Sequence, residues 1–130
     1  MSEERKRRLA KLVRLERRLK SVHETRHAGH LAAASRSAED AAAISARIDA
    51  PDSLSGLFPE LYHRHVEASL AAREKSLEQA RREEKAIAAA TIRATRVGER
   101  YRDAARAVEE HASALELQEL IDRAAGRRKE

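Results

Sequence analysis

The sequence predicts an all-α protein: two long helices folded into an antiparallel coiled-coil hairpin, with the C-terminal end of the second helix protruding. Three observations carry this. One line of positions, mostly small or apolar, recurs at alternating three- and four-residue spacing through the second half: Leu70, Arg73, Leu77, Ala80, Glu84, Ile87, Thr91, Ala94, Gly98, Tyr101, Ala105, Val108, Ala112 and Leu115. Such heptad spacing hides one narrow helical face against another helix. Ala, Glu, Arg, Lys and Leu dominate the composition, as they do in coiled coils and long helices. Both prolines fall in a single break near the middle of the chain, and no persistent strand pattern appears.

The first helix is expected over about residues 3–49. Ser2 is placed to cap its N-terminus, with Glu3 and Glu4 favourable in the first turn. Its apolar positions read Leu9, Leu12, Leu15, Leu19 and Val22, and a weaker stripe follows as Leu31, Ala34, Ala38, Ala41, Ile44 and Ile48. Between Arg26 and Leu31 the phase slips, which in a heptad frame is a stutter that locally relaxes supercoiling. Gly29 makes this the weakest stretch of the helix. The break itself, about 50–58, contains Pro51, Asp52, Ser53, Ser55 and Gly56, all turn formers. Pro59 suits the first turn of a second helix, about 59–125, which should end at Gly126 and a basic tail, Arg127-Arg128-Lys129.

Two helices joined by a short loop pack antiparallel. At about 1.5 Å per residue the second helix outruns the first by about five turns. That overhang carries Ala112, Leu115, Leu117, Leu120 and Ile121 with no partner in its own chain, which marks an interaction site or a dimer contact. The tip gathers Leu54, Leu57, Phe58, Leu61 and Tyr62, expected to plug the end of the hairpin, although their composition also fits a docking knob.

The chain of 130 residues has room for one domain, 1–130. Aromatics make up 2% of it, so its core must be thin. No cysteine is present, which removes disulfides and thiolate chemistry. No apolar run approaches the roughly 20 residues that span a bilayer. The charged start, Met1 to Arg8, has no apolar signal core, so a cytoplasmic protein is expected. The net charge of +5 is unevenly spread: Arg5, Lys6, Arg7, Arg8, Lys11, Arg14, Arg17, Arg18 and Lys20 crowd the first helix. A basic end favours an acidic partner, whether protein, nucleic acid or membrane surface, or is simply solvated.

One motif invites a catalytic reading. His23-Glu24-Thr25-Arg26-His27 matches H-E-x-x-H, which in zinc proteases puts two imidazoles on one helical face beside a glutamate base. A two-helix hairpin provides neither the cleft nor the substrate-binding edge that hydrolysis requires, and His30 on the same helix is badly placed as a third ligand. His23 and His27 are therefore expected to bind metal adventitiously at most, with no cofactor and no catalytic residue. Glu84 on the seam reads as a register-fixing polar break, and Gly98 beside Tyr101 as space for a large residue opposite. No stacking aromatics interleave with the cations, and no nucleic-acid-binding module is visible.

The layout resembles the FliJ family of flagellar type III export and its YscO-type relatives in virulence systems. The resemblance is carried by the basic start Arg5-Lys6-Arg7-Arg8-Leu9-Ala10-Lys11-Leu12-Val13-Arg14-Leu15, the tip Leu57-Phe58-Pro59-Glu60-Leu61-Tyr62, the Arg/Glu-rich run Arg73 to Lys85, and the close Leu115-Glu116-Leu117-Gln118-Glu119-Leu120-Ile121-Asp122-Arg123. Tip and close look most like the short, divergent FliJ-like proteins of alphaproteobacterial flagellar clusters. The resemblance implies a non-enzymatic stalk that enters the pore of a hexameric export ATPase, promotes its assembly, and contacts the membrane export gate and export chaperones. It assigns Arg5, Arg8, Lys11, Leu115, Leu117, Leu120 and Ile121 to the ATPase, and Arg73, Leu77 and Arg81 to the gate. The rival expectations are a self-associating structural coiled coil and a basic nucleic-acid-binding hairpin.

Overall fold

The computed structural model describes the backbone of residues 2–129 and the side chains of residues 3–127. The protein is an all-α helical hairpin in which α1, Ser2–Ile48, packs against α2, Pro59–Lys129. Two compact units divide it: Met1–Arg18 with Ala90–Glu130, and Leu19–Ala89. Ser2 is the first residue of α1, but its capping side chain lies outside the described residues, as do the side chains of Arg128 and Lys129 in the basic tail. The helix does not stop at Gly126. No glycine among the described residues has a positive φ, so the left-handed cap expected there is absent and α2 runs on to Lys129.

Pro51 ends α1, because a proline disfavours helical dihedrals in the residue before it. The connection is held by its own bonds. Ala50 N–H donates to the Arg47 carbonyl, Ser53 N–H to Ala50, and Leu57 and Phe58 N–H both to Leu54. Ser55 Oγ donates to the Ile48 carbonyl at 2.7 Å, satisfying an acceptor that the end of α1 leaves open. Pro59 takes the first helical position of α2, where its missing N–H costs nothing.

In the Leu19–Ala89 unit, the residues of α1 turned from solvent include Lys20, His23, His27, His30, Ala34, Ser37, Ala41, Ile44 and Ile48. The spacing alternates three and four without interruption. The stutter expected between Arg26 and Leu31 does not occur, because His23, His27 and His30 fill the positions where apolar residues were sought. Leu19, Val22 and Leu31, which the apolar pattern placed inside, are exposed. On α2 the matching line runs Tyr62, Val66, Ser69, Arg73, Ser76, Ala80, Glu83 and Ile87. The buried residues of this unit are all alanines: Ala34, Ala41 and Ala80. Small side chains on both helices leave a thin seam that larger leucines would prop apart.

The other unit repeats the pattern. Leu9, Val13 and Glu16 on α1 face inward, with Ala90, Ala94, Val97, Tyr101, Ala104 and Val108 on α2. Leu12 and Leu15 are exposed, whereas Leu9 and Ala90 are buried. One column of the expected α2 seam, Arg73, Ala80, Ile87, Ala94, Tyr101 and Val108, is therefore observed. The other is shifted one residue earlier in part: Ser69, Glu83 and Ala90 take the inner positions in place of the exposed Leu70, Glu84 and Thr91, while Ser76, Val97 and Ala104 join the half-buried Leu77, Gly98 and Ala105. Leucine hydrophobicity drew the expected line to the rim, where Leu70 is exposed and Leu77 half-buried. Gly98 makes no room for a large residue: a Cβ built there meets only Arg102 of its own helix, at 4.0 Å. No helix among the described residues is long and apolar enough to cross a membrane.

Ala90, with 0% exposure, tests the seam. Ala90→Leu should lower stability by about 1–3 kcal/mol through overpacking, while Leu15→Ala on the outer face changes it by no more than about 0.5 kcal/mol. Urea denaturation followed by circular dichroism measures both. Gly29→Ala and Gly98→Ala, at helical positions with space for a methyl group, should each raise stability by about 0.5–1 kcal/mol. A rise in thermal midpoint is the readout.

Candidate functional site

Three surfaces hold the residues singled out in the sequence. The polar middle of the seam comes first, because it contains the H-E-x-x-H motif. His23 and His27 are four residues apart, so they stand one above the other on the same face of α1. That face meets α2. His23 Nδ1 lies 2.6 Å from Glu83 Oε2, and His27 Nε2 lies 3.2 Å from Glu84 Oε1. Each imidazole is thus matched to its own carboxylate across the helix pair. Glu24 faces solvent and approaches Lys20 at 4.0 Å. Among the described residues no group of three or more His, Cys, Asp or Glu could hold a metal ion.

The two contacts differ in environment. The Glu83 side chain is 16% exposed and that of Glu84 is 63% exposed. Glu83, not Glu84, therefore supplies the polar position on the α2 seam. Water screens the outer contact, as it does most surface ion pairs. In the other unit, Arg93 Nε donates to Glu16 Oε2 at 3.0 Å, again across the two helices. No buried side-chain polar atom among the described residues lacks a hydrogen-bond partner.

Arg73, Leu77 and Arg81 do not form an outward-facing trio. Arg73 sits on the seam and donates to Glu74 Oε1 at 3.1 Å, and Leu77 is half-buried on its flank. Arg81 is exposed, but its guanidinium is bound to Glu78 Oε2 at 3.2 and 2.9 Å. That hydrogen bond, with the charge of the same guanidinium, holds the Glu78 carboxyl below its ordinary range.

The second surface is the tip. The apolar residues expected to plug it are largely open to solvent: Leu54, Leu57, Phe58 and Leu61 are exposed, with Leu57 at 73%. Only Tyr62 turns partly inward. Ile44, Leu54, Phe58, Leu61, Tyr62 and His65 line an open concavity of about 380 Å³. The turn is fixed by the Leu57 and Phe58 N–H bonds to the Leu54 carbonyl, and in it the apolar side chains border the concavity without closing it. Exposed apolar side chains clustered in this way are the composition of a contact surface.

The third surface is the end of α2. Val108 is the last residue turned from solvent, and every residue from Glu109 to Arg127 is exposed. Leu115, Leu117, Leu120 and Ile121 are all more than half exposed. Leu115 continues the line of Val108, seven residues on. Leu117, Leu120 and Ile121 lie on the opposite side, since nine residues from Val108 to Leu117 turn the helix by about half a revolution. This second stripe was not separated from the first in the sequence pattern; helical phase measured from the last covered residue distinguishes them. Arg5, Arg8 and Lys11, on α1 of the same unit, are exposed and form no ion pair with another described residue.

No family model, no characterised protein and no solved structure matches the chain.

The His23–Glu83 contact is suited to a double-mutant cycle. His23→Ala and Glu83→Ala should couple by about 0.5–1.5 kcal/mol, and His27→Ala with Glu84→Ala by less than about 0.5 kcal/mol. Chemical denaturation of the eight proteins in the two cycles, wild type counted in each, measures the difference.

Proposed function

We propose that this protein is a non-enzymatic, FliJ-like component of a flagellar or related type III export apparatus. It acts as a stalk: the exposed end of α2 and the basic start of α1 engage a hexameric export ATPase and promote its assembly. The same protein contacts the membrane export gate or export chaperones, and it works in the cytoplasm, peripheral to the membrane. The observation that carries this reading is the stretch from Glu109 to Arg127, a continuous helix with no covered residue and two apolar lines. A ring pore admits a single helix bearing contacts on more than one side, and a helix sheathed by its own chain lacks them.

The basic residues Arg5, Arg8 and Lys11 support the same assignment, since they share a compact unit with that end. The exposed tip, with Leu57, Phe58 and Leu61, suits the second contact that an adaptor between ATPase and gate requires. Of the three residues assigned to the gate by resemblance, only Arg81 is exposed, so the tip is the better candidate for that role.

The ATP turnover of the export ATPase from the same organism, with and without this protein, tests the reading. Turnover should rise on addition of the wild-type chain. Leu117→Asp combined with Leu120→Asp should abolish the rise while leaving helicity unchanged by circular dichroism. Unchanged stimulation by this variant, or none by the wild-type chain, counts against the proposal.

A further inference from the structure

The Met1–Arg18 and Ala90–Glu130 unit segregates charge sharply. Its two-helix part, Glu3 to Arg18 with Ala90 to Val108, contains thirteen Lys and Arg residues against five acidic ones. From Glu109 to Asp122 there are five acidic residues and no Lys or Arg. Like charges crowded on two packed helices repel one another, and nearby acids would relieve that repulsion. Glu109 lines an open groove with Arg102 and Arg106 of its own helix, but the three acids farther along, Glu116, Glu119 and Asp122, cannot reach back. Helix α2 is unbroken from Pro59 to Lys129, with no proline after its first position and no glycine of positive φ among the described residues. Glu116, Glu119 and Asp122 are thereby carried roughly 12–21 Å beyond Val108 along the axis.

The basic part also offers an apolar line of its own. Leu12 and Leu15 are exposed on α1, about a sixth and about a third of a turn from the Leu9–Val13–Glu16 seam. Arg8 precedes Leu12 by one turn, and Lys11 and Arg18 flank Leu15. Lys11, Arg14, Leu15, Arg17 and Arg18 line an open groove of about 480 Å³. None of these cations forms an ion pair with another described residue. The end of α2 presents the complement: Leu117, Leu120 and Ile121, with Glu109 and Glu116 along one edge.

We infer that the acidic, leucine-bearing end of α2 in one copy docks on the basic outer face of α1 in a second copy. Leucines meet leucines at the centre of the contact, and carboxylates meet guanidinium and ammonium groups at its rim. The two patches differ, so the contact is heterologous: it closes into a small ring or extends from copy to copy. The inference concerns this chain alone and goes beyond the export reading. Its test contains no other protein, so either can fail without the other.

The experiment is sedimentation equilibrium of the full chain over a range of concentrations and salt. The weight-average mass should climb above the 14.6 kDa of one chain as concentration rises. It should fall back as salt is raised from about 0.05 M to about 0.5 M, where the Debye length shrinks to about 4 Å and the attraction between the two charged patches is screened. Lys11→Glu with Arg18→Glu should give a single chain, and so should Glu109→Lys with Glu116→Lys. Both pairs are exposed, and circular dichroism confirms that each variant stays helical. Mixing the two variants should restore association, because each then supplies the charge the other lost. A mass of one chain at every concentration overturns the inference. So does association that neither variant weakens, or that returns in no mixture. Mass that increases only when an oligonucleotide is added assigns the basic face to nucleic acid and also overturns it.

Discussion

Everything in this hairpin follows from how little its two helices put between them. The buried residues are Leu9 and four alanines, and no large side chain among the described residues is fully buried. A methyl group removes little surface from water, so burial alone gives each turn of the seam only a small stabilisation. Helix formation must therefore supply much of the rest, and the sequence is rich in the residues that provide it: alanine, leucine, glutamate, arginine and lysine. The same thinness explains why polar side chains are tolerated between the helices. Lys20, His23, Glu83 and Arg73 are never far from water, so their polar ends do not bear the cost of full desolvation.

Leucine, the residue most trusted as a sign of the interior, is mostly on the outside here. Leu12, Leu15, Leu19 and Leu31 in α1 and Leu70 in α2 are exposed, while serine, histidine and glutamate take seam positions. That inversion is why the helices and their break were legible from sequence while half of the seam was not. Pro51 and Pro59 impose local geometry whatever surrounds them, so the connection appears where expected. Which face of a helix is covered depends on how closely its partner approaches, and that distance is set jointly by small residues scattered over both helices. The His23–His27 pair was legible as a shared face; its carboxylate partners, some sixty positions away, were not. The uncovered end of α2 was legible because it depends only on the unequal lengths of the two helices. Its second apolar line was not, because helical phase has no reference until the last covered residue is known.

The polar contacts give the pairing its address. An alanine seam is nearly the same at every heptad, so one helix could slide past the other by seven residues with little change in contact area. Glu83 against His23, and Arg93 against Glu16, are satisfied in one alignment only, and a slip would leave a partly buried charge without its partner. Specificity of register and modest stability are separable properties here, supplied by different residues.

The connection between the helices has a kinetic meaning as well. Ten residues, Asp49 to Phe58, separate the helices, and Ser55 and the Leu54 carbonyl already bind within that segment or to the end of α1. Closing a loop of this length takes on the order of 10–100 ns. The first contacts across the hairpin are then among those nearest in sequence, around Ile44 and Tyr62, and each later turn closes against one already formed. A chain of this kind assembles like a zip fastened at its shut end, with every added rung shortening the search for the next.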